Sequence, residues 1–306
     1  MPAPTITTGS TAVRAAAPAK LNLYLHVLGR RADGYHLLDS LVVFAGLWDV
    51  VEVAPAETFR LDIDGPFAAP LRAEDPERNL VTRACRRLAE AVGRAPDVAV
   101  TLHKRLPVAG GIGGGSSDAA AALRALTALW GLAPDDPRPA AVAPGLGADV
   151  PVCLHGRSAY FGGIGDVIDP APALPPVWLV LVNPGIGLGT KEVFGARQGG
   201  FSAAGRLERA PTDLSDFVTM LEARGNDLMA PALSLAPVVA EMLDALRAAA
   251  GCRLARMSGS GATCFGLFGS ETDACAAAAE LRAARPDWWA EAAPLLPQVP
   301  AVEIAG

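Results

Sequence analysis

Lysine is scarce in this 306-residue chain, where three of the 26 cationic residues are lysine and the others are arginine. The three are Lys20, Lys104 and Lys191. Lysine and arginine are not interchangeable where a compact point charge is needed, so the retained lysines are candidates for site residues. Chance within an arginine-rich composition is the alternative, and it weighs more for Lys191 than for Lys20.

Cysteine is also sparse and unpatterned. The five residues are odd in number and no two have C-x-x-C spacing, which argues against a disulfide framework. We expect them to be small buried hydrophobic side chains in a reducing compartment. They are Cys85, Cys153, Cys252, Cys264 and Cys275.

No long apolar run and no long basic tract is present. A bilayer-spanning helix needs roughly 18 or more apolar residues in succession, so no membrane partner is expected. Residues 1–12 lack a basic region followed by an apolar stretch, and we interpret them as a disordered leader in a cytoplasmic protein. The net charge of -6 disfavours nucleic acid as a partner but permits an anionic small substrate in a locally positive pocket.

The hydrophobic pattern predicts a mixed architecture. Alternation over 21–27 indicates a half-buried strand with Lys20 and Asn22 on one face, and turn residues place a loop over 29–36. Other strands are predicted near 41–45, 48–53, 97–103, 157–162, 177–182, 253–257 and 263–268. Helices are predicted near 79–92, 116–130, 213–223, 235–249 and 271–284.

Hairpins and helices interleave along the chain, which indicates the α+β class. Residues 133–147 are rich in proline and glycine and are expected to form a surface segment or loop, and the chain should end in a proline-rich tail. Proline and glycine also cluster between Gly163 and Pro176. This cluster predicts an N-terminal domain over 1–165 and a C-terminal domain over 166–306.

A glycine-rich segment, Pro107–Asp118, lies between a predicted strand and a predicted helix, and five of its twelve residues are glycine. Glycine permits close approach and positive φ, successive amides can form an anion nest, and the helix adds its positive end. Ser116 or Ser117 could cap that helix or reach a phosphate or a metal-bound water. The segment fits neither the P-loop nor the Rossmann pattern, and a flexible linker would not lead at once into a helix.

This segment resembles motif two of the GHMP kinases. Three other segments resemble that family in the right order, namely Ala17–Leu23, Leu146–Pro151 and Met257–Thr263. The resemblance spans roughly residues 15 to 270. It implies a two-domain fold, with an N-terminal domain like ribosomal protein S5 domain 2 and a ferredoxin-like C-terminal α/β domain.

The loop Gly29–Leu38 and the segment Gly147–Pro151 resemble one branch of the family. That branch uses ATP to phosphorylate the 2-hydroxyl of a cytidine-diphosphate-linked sugar alcohol in the non-mevalonate isoprenoid pathway. Another GHMP kinase acting on mevalonate, homoserine or a sugar is one alternative, and a diphosphate decarboxylase or nucleotide sensor is another. The Asp-Gly-Tyr-His loop argues against the first, and Lys20 with Asp149 favours a kinase over a sensor.

The resemblance assigns the catalytic pair. Asp149 would be the base for the substrate hydroxyl, and Lys20 would lie beside it, keep it ionised and polarise the hydroxyl. Asn22 would orient the substrate diol. The alternatives are a helix N-cap for Asp149 and a solvated strand end for Lys20.

The same resemblance assigns an ATP site. Lys104 would lie near the adenosine or the phosphates, and Asn79 with Leu80 near the adenine. Mg²⁺ is implied by ATP chemistry, with Ser117 as a candidate ligand and coordination through phosphates and water as the alternative. Ala109 replaces a usual glycine, which is tolerable if its φ is negative. The loop residues assigned to ATP are Pro107, Val108, Ala109, Gly110, Gly111, Ile112, Gly113, Gly114, Gly115, Ser116 and Ser117.

On the substrate side, Tyr35 and His36 would read cytosine and Phe194 would close its other face. Thr190 would bind the diphosphate or the transferred group. Core packing is the alternative for Tyr35 and for Phe194. Gly259, Ser260 and Gly261 should pack near the phosphates or form a tight turn. The expected partners are therefore ATP and the sugar alcohol, and a homodimer is left open.

Overall fold

The structure is a computed structural model that describes residues 12–305. Apart from Ala12, which begins the first strand, the predicted leader lies outside the described residues. The strands are β1 (Ala12–Arg30), β2 (His36–Pro55), β3 (Arg60–Asp64), β4 (Val98–His103), β5 (Ala159–Gly163), β6 (Val167–Pro170), β7 (Trp178–Asn183), β8 (Leu254–Met257), β9 (Cys264–Phe268), β10 (Trp289–Leu296) and β11 (Glu303–Ala305).

Helices cover these strands, and 3-10 turns lie at Pro76–Arg78 and Ala143–Gly145. The helices are α1 (Ala69–Arg72), α2 (Leu80–Val92), α3 (Gly114–Leu129), α4 (Pro137–Val142), α5 (Val150–His155), α6 (Thr190–Ala196), α7 (Leu214–Glu222), α8 (Met229–Leu235), α9 (Val238–Ala248) and α10 (Glu271–Ala284). The predicted α+β class is confirmed.

The long strands β1 and β2 form an antiparallel ribbon that organises the N-terminal half. The two strands predicted near 41–45 and 48–53 are one strand, β2, which also pairs with β4 and β5. Register shifts interrupt the β1–β2 pairing, for example between Pro18 and Lys20. Such irregularities let a long ribbon bend and serve several neighbours.

The sheet continues into the C-terminal half through β10. This strand pairs with β7 over most of its length and with β2 at Leu295 and Leu296. The predicted proline-rich tail is therefore wrong in part, because it holds β10 and also β11, which pairs with the start of β1. The division into 1–165 and 166–306 stays a prediction.

The irregular segment predicted over 133–147 is also corrected. Pro137, Pro139 and Pro144 occupy helical turns, with Pro137 in the first turn of α4, where a missing N–H costs nothing. Asp136 caps that helix by accepting from the Arg138 amide at 2.9 Å. The chain then enters α5 with Pro151 in the first turn, directly after Asp149.

The cysteines are all free thiols, as expected. Three are buried, but Cys252 is half-buried and Cys275 is exposed, so their predicted uniform burial is wrong. Within residues 12–305, no single helix is long and apolar enough to cross a bilayer. The bent pair α8–α9 passes by length and composition alone.

Candidate active site

Lys20 and Asp149 meet at the junction of β1 and α5. Lys20 Nζ lies 2.9 Å from Asp149 Oδ2, with 5% of the lysine side chain and 31% of the aspartate side chain exposed. Asp149 occupies the N-cap position of α5, yet its carboxylate caps no amide there. Both alternatives are thus wrong: Lys20 is not a solvated strand end, and Asp149 faces the lysine instead of capping.

Asn22 lies beneath this pair, on the same face of β1 as Lys20, as predicted. Its Oδ1 accepts a hydrogen bond from Lys20 Nζ at 3.0 Å, and its Nδ2 donates to Ser40 Oγ at 2.8 Å. Only 2% of Asn22 is exposed. In the structure Asn22 therefore supports the lysine ammonium, and its predicted role in orienting the substrate diol stays a prediction.

The glycine loop turns its carbonyl groups into the protein. Three of them accept hydrogen bonds from neighbouring segments: Gly110 from the Thr263 amide at 3.0 Å, Gly111 from the Ser258 hydroxyl at 3.0 Å and Ile112 from the Lys20 amide at 2.9 Å. Helix α3 begins directly after this loop, and the first N–H groups of a helix have no acceptor within it. The loop therefore presents the amide-rich end of α3, which suits an anion.

This helix end lies against the Lys20–Asp149 pair. Gly113 has φ +63°, and a Cβ atom there would lie 3.0 Å from Lys20 Cε and 3.8 Å from Asp149 Oδ2. The anion-binding end of α3, the lysine ammonium and the carboxylate therefore share one small region. The predicted adjacency of Lys20 and Asp149 is confirmed.

The turn Ser258–Gly261 clamps the loop from the C-terminal half. A Cβ atom at Gly111 would lie 2.5 Å from the Gly261 carbonyl oxygen and 2.7 Å from that of Ser258. The close approach predicted for this turn is confirmed. It requires glycine at position 111, where φ is +73°.

Ala109 differs from its prediction. Its φ is +54°, not negative, which makes it the positive-φ residue other than glycine among residues 12–305. An L-residue in this left-handed region is strained by roughly 1–2 kcal/mol. Ala109 is exposed, so no buried contact offsets the strain.

We expect Ala109→Gly to leave the free energy of unfolding unchanged or to raise it by up to about 1 kcal/mol, because glycine relieves the strain but gains freedom in the unfolded chain. Urea unfolding measures this change. The matched control is Ala276→Gly at an exposed site inside α10, which should lower stability by about 1 kcal/mol. Equal losses in the two variants would show that Ala109 is not strained.

Two residues assigned to the ATP site have buried, hydrogen-bonded side chains. Lys104 is 2% exposed, and its Nζ lies 2.5 Å from Asp49 Oδ2 and 2.7 Å from Asp118 Oδ2. Its predicted place near the adenosine or the phosphates stays a prediction. Ser117 is 1% exposed and donates to the Pro18 carbonyl at 2.6 Å, so its hydroxyl faces inward and does not suit a metal. Ser116 is partly exposed and keeps its predicted role as a proposal.

The described residues contain no cluster of three or more metal-ligating His, Cys, Asp or Glu side chains. The segment assigned to the adenine side forms the start of α2, and its contact with adenine stays a prediction. Asn79 caps α2 by accepting from the Val81 amide at 2.9 Å, and Leu80 packs beside the loop, 3.6 Å from a Cβ atom placed on Gly115.

Several aromatic side chains lie on the predicted substrate side. The rings of His36 and Phe194 are stacked, with centroids 4.8 Å apart and planes at 23°. Tyr35, on the preceding loop, is 62% exposed, so the core alternative for it is wrong. Phe194 also packs against the C-terminal core, as its alternative interpretation expected, and its contact with cytosine stays a prediction. Thr190 Oγ1 lies 3.1 Å from Ser260 Oγ, which links α6 to the clamping turn.

His36 is held in its neutral form. Burial lowers its pKa below the usual value, and the positive charges of Arg30 and Arg197 lower it further. A neutral imidazole offers one hydrogen-bond donor and one acceptor. That combination suits the edge of a heterocyclic base.

Sequence reasoning missed Asp49, Asp118, Ser40 and Ser258. Asp118 was visible as the last residue of the glycine segment, and its position one turn into an alanine-rich helix could have indicated burial. Nothing local marked Asp49 or Ser40, because their partners lie far away in the chain.

The site therefore combines the amide end of a helix, a buried ammonium and a partly exposed carboxylate. Phosphoryl transfer to an alcohol needs this set of groups, because it depends on positioning and charge neutralisation more than on covalent chemistry. Fold and site together define a phosphotransferase.

Comparison with known proteins agrees with the assignment as a phosphotransferase. Residues 79–157 match the family model for the GHMP kinase N-terminal domain, and residues 207–287 match that for the C-terminal domain. The chain is 56% identical over 92% of its length to 4-diphosphocytidyl-2-C-methyl-D-erythritol kinase of Paramagnetospirillum magneticum, of which 97% is covered. It is 54% identical over 90% of its length to the protein of that name from Rhodospirillum rubrum, of which 90% is covered.

Solved structures give the same result. A crystal structure of 4-(cytidine 5'-diphospho)-2C-methyl-D-erythritol kinase superposes with a TM-score of 0.76 at 37% identity, covering 92% of this chain and 98% of the other. The homoserine kinase from Cytophaga hutchinsonii shares the fold. It superposes with a TM-score of 0.72 at 16% identity, covering 99% of this chain and 100% of the other. The chain therefore belongs to the GHMP kinase family, within the branch of the 4-diphosphocytidyl-2-C-methyl-D-erythritol kinases. GHMP kinases use ATP as the phosphate donor.

Proposed function

We propose that the protein transfers the γ-phosphoryl group of ATP to the 2-hydroxyl of 4-diphosphocytidyl-2-C-methyl-D-erythritol, a step in isoprenoid precursor synthesis. The observation that carries the proposal is the 2.9 Å Lys20–Asp149 pair packed against the amide end of α3. Relatives of that name at 54–56% identity support the choice of substrate.

In the reaction, Asp149 accepts the proton of the 2-hydroxyl as its oxygen attacks the γ-phosphorus. The bond from that phosphorus to the bridging oxygen breaks, and ADP leaves with the electron pair. Lys20 positions the Asp149 carboxylate and orients the attacking hydroxyl, while loop amides and Ser116 hold the phosphates. Mg²⁺, held mainly by phosphates and water, would neutralise charge on the triphosphate.

For substrate recognition, cytosine stacks between the exposed Tyr35 and Phe194, and neutral His36 hydrogen-bonds to its edge. Thr190 then lies at the entrance to the phosphate region, beside the clamping turn, and binds the diphosphate or the transferred group. Asn79 and Leu80 line the adenine side. ATP and the sugar alcohol are the proposed partners. We place the enzyme in the cytoplasm, without nucleic acid or membrane partners.

A substrate panel tests the proposed function. The purified protein is incubated with ATP and with the cytidine-diphosphate compound, mevalonate, homoserine or a sugar such as galactose, and ADP release is measured. We expect turnover of the cytidine compound alone, because mevalonate, homoserine and sugars carry no base that could stack on the aromatic side chains of the substrate side. Comparable turnover of mevalonate or homoserine would contradict the proposal.

Tyr35→Ala should raise KM for the cytidine substrate by about 5- to 150-fold, since stacking of an aromatic side chain on a base contributes about 1–3 kcal/mol. KM for ATP should stay unchanged. Steady-state kinetics with each substrate varied in turn measures both. The matched control Tyr35→Phe keeps the ring and should behave like the wild type, whereas equal increases in both KM values would indicate a folding role.

A further inference from the structure

Three side chains from separate elements form a buried charge cluster below the glycine loop. Asp49 belongs to β2, Lys104 directly follows β4, and Asp118 lies in the second turn of α3. Lys104 Nζ contacts both carboxylates, at 2.5 Å and 2.7 Å, and the three side chains are at most 3% exposed. We call Asp49, Lys104 and Asp118 the loop triad.

The loop triad touches both ends of the glycine loop. At the entry, the second oxygen of Asp49 accepts hydrogen bonds from the amides of Arg105 and Leu106, at 2.5 Å and 2.8 Å. At the exit, a Cβ atom on Gly114 would lie 3.1 Å from Lys104 Nζ. The chain between these anchors contains the strained and left-handed residues of the loop.

The burial of the loop triad is electrostatically unfavourable. Two carboxylates share one ammonium, and Asp118 Oδ1 is buried without a hydrogen-bond partner among the described residues. Burial raises the pKa of Asp118 to about 7, and the neighbouring Asp49 charge also raises it while Lys104 opposes the rise. Buried ionic groups are weak stabilisers compared with a well-packed apolar core. Stability alone therefore does not account for the triad.

The triad also cannot bind the nucleotide directly, because its members are shielded from solvent by the loop. The loop triad is therefore connected to the proposed nucleotide site only through the position of helix α3. Asp118 lies in the second turn of α3, so its 2.7 Å contact with Lys104 Nζ fixes how far the helix end lies from the sheet. Gly114, in the first turn, leaves no room for a side chain against that ammonium. The amides proposed to hold the triphosphate move with that helix end.

We propose that the loop triad is a positioning device for ATP, in which Lys104 fixes the amide end of α3 at the distance that the phosphates require. The inference rests on the proposed function for the identity of the nucleotide site. It assigns Asp49, Lys104 and Asp118 no contact with ATP. Hydrogen bonds to phosphate require well-placed amides, so a buried contact that sets the position of the helix end can control affinity.

The test compares Asp118→Ala with Asp118→Asn by titration calorimetry, with ATP and cytidine 5′-diphosphate as separate probes. Alanine removes the contact to Lys104, whereas asparagine keeps an oxygen acceptor for Nζ. Asp118→Ala should weaken ATP binding about tenfold or more, the size of one lost hydrogen bond to a charged phosphate, and Asp118→Asn should stay within about threefold of wild type. Binding of cytidine 5′-diphosphate should not change in either variant.

A stability control separates positioning from general loosening. Val239→Ala truncates a fully buried side chain in the C-terminal core and should lower stability without changing ATP affinity. If Asp118→Ala does not fold, Asp118→Ser replaces it, because its side chain is one bond shorter than that of asparagine and loses the 2.7 Å contact.

The positioning role is overturned if the folded alanine or serine variant binds ATP normally, or loses affinity for both probes equally. It is also overturned if Asp118→Asn is no better than Asp118→Ala. A wild-type protein that binds ATP but not cytidine 5′-diphosphate would argue against the proposed substrate instead, and the ATP comparison would still stand.

Discussion

Asp149→Asn should lower kcat by a factor of about 10²–10⁴, the usual contribution of a general base. Asparagine keeps the size of the side chain but cannot take up the proton of the attacking hydroxyl. Lys20, 2.9 Å away, also loses its carboxylate partner. Single-turnover kinetics measures the chemical step, and calorimetry should give an unchanged ATP affinity.

Asp244→Asn is the matched control for this result. It removes another carboxylate from an ion pair, with Arg247 at 2.8 Å, but at an exposed site on α9. Its kcat should equal that of the wild type. Near-normal turnover in Asp149→Asn would remove Asp149 from the mechanism, and a loss of ATP binding would indicate damage to the loop.

Gly111→Ala should weaken ATP binding by a factor of about 100 or more, because moving the loop amides breaks hydrogen bonds to charged phosphates that contribute about 1.5–3 kcal/mol each. The new Cβ atom would lie 2.5 Å from the Gly261 carbonyl oxygen and 2.7 Å from that of Ser258. These are backbone atoms of the clamping turn, so they cannot rotate away. The loop must move from the turn, and its amides move with it.

The chain offers an exact control for backbone conformation. Gly93, after α2, has the same φ of +73° as Gly111, and a Cβ atom there has nothing within 4 Å. Gly93→Ala should therefore lose about 1–2 kcal/mol of stability from the left-handed conformation alone and bind ATP normally. If Gly111→Ala behaves like Gly93→Ala, the clamp does not determine the shape of the phosphate loop.

Local sequence patterns predicted the parts of the site whose structure depends on residues that are close together in the chain. Alternation along β1 placed Lys20 and Asn22 on one face, and their side chains are hydrogen-bonded. Glycine between a strand and a helix predicted a loop leading into the amide end of α3. The meeting of Lys20 with Asp149 came from the family resemblance, because no local pattern relates residues so far apart.

Features that depend on distant partners were not predictable in this way. Lys104 carries a charge and ends a strand, which is typical of an exposed residue, and its burial depends on Asp49 and Asp118. The strands β10 and β11 lie in a proline-containing tail, and they form because edges of β2, β7 and β1 are open to them. Ala109, with its positive φ, belongs to a loop whose carbonyls are held by Ser258 and Thr263, which lie far away in the chain.

A crystal structure with a non-hydrolysable ATP analogue and the cytidine substrate tests the central claim most directly. The account predicts that the terminal phosphates lie on the amides of residues 113–116, with the 2-hydroxyl within hydrogen-bond reach of Asp149 and the γ-phosphate beside Lys20. A triphosphate bound away from α3, or a substrate hydroxyl remote from Asp149, would contradict it.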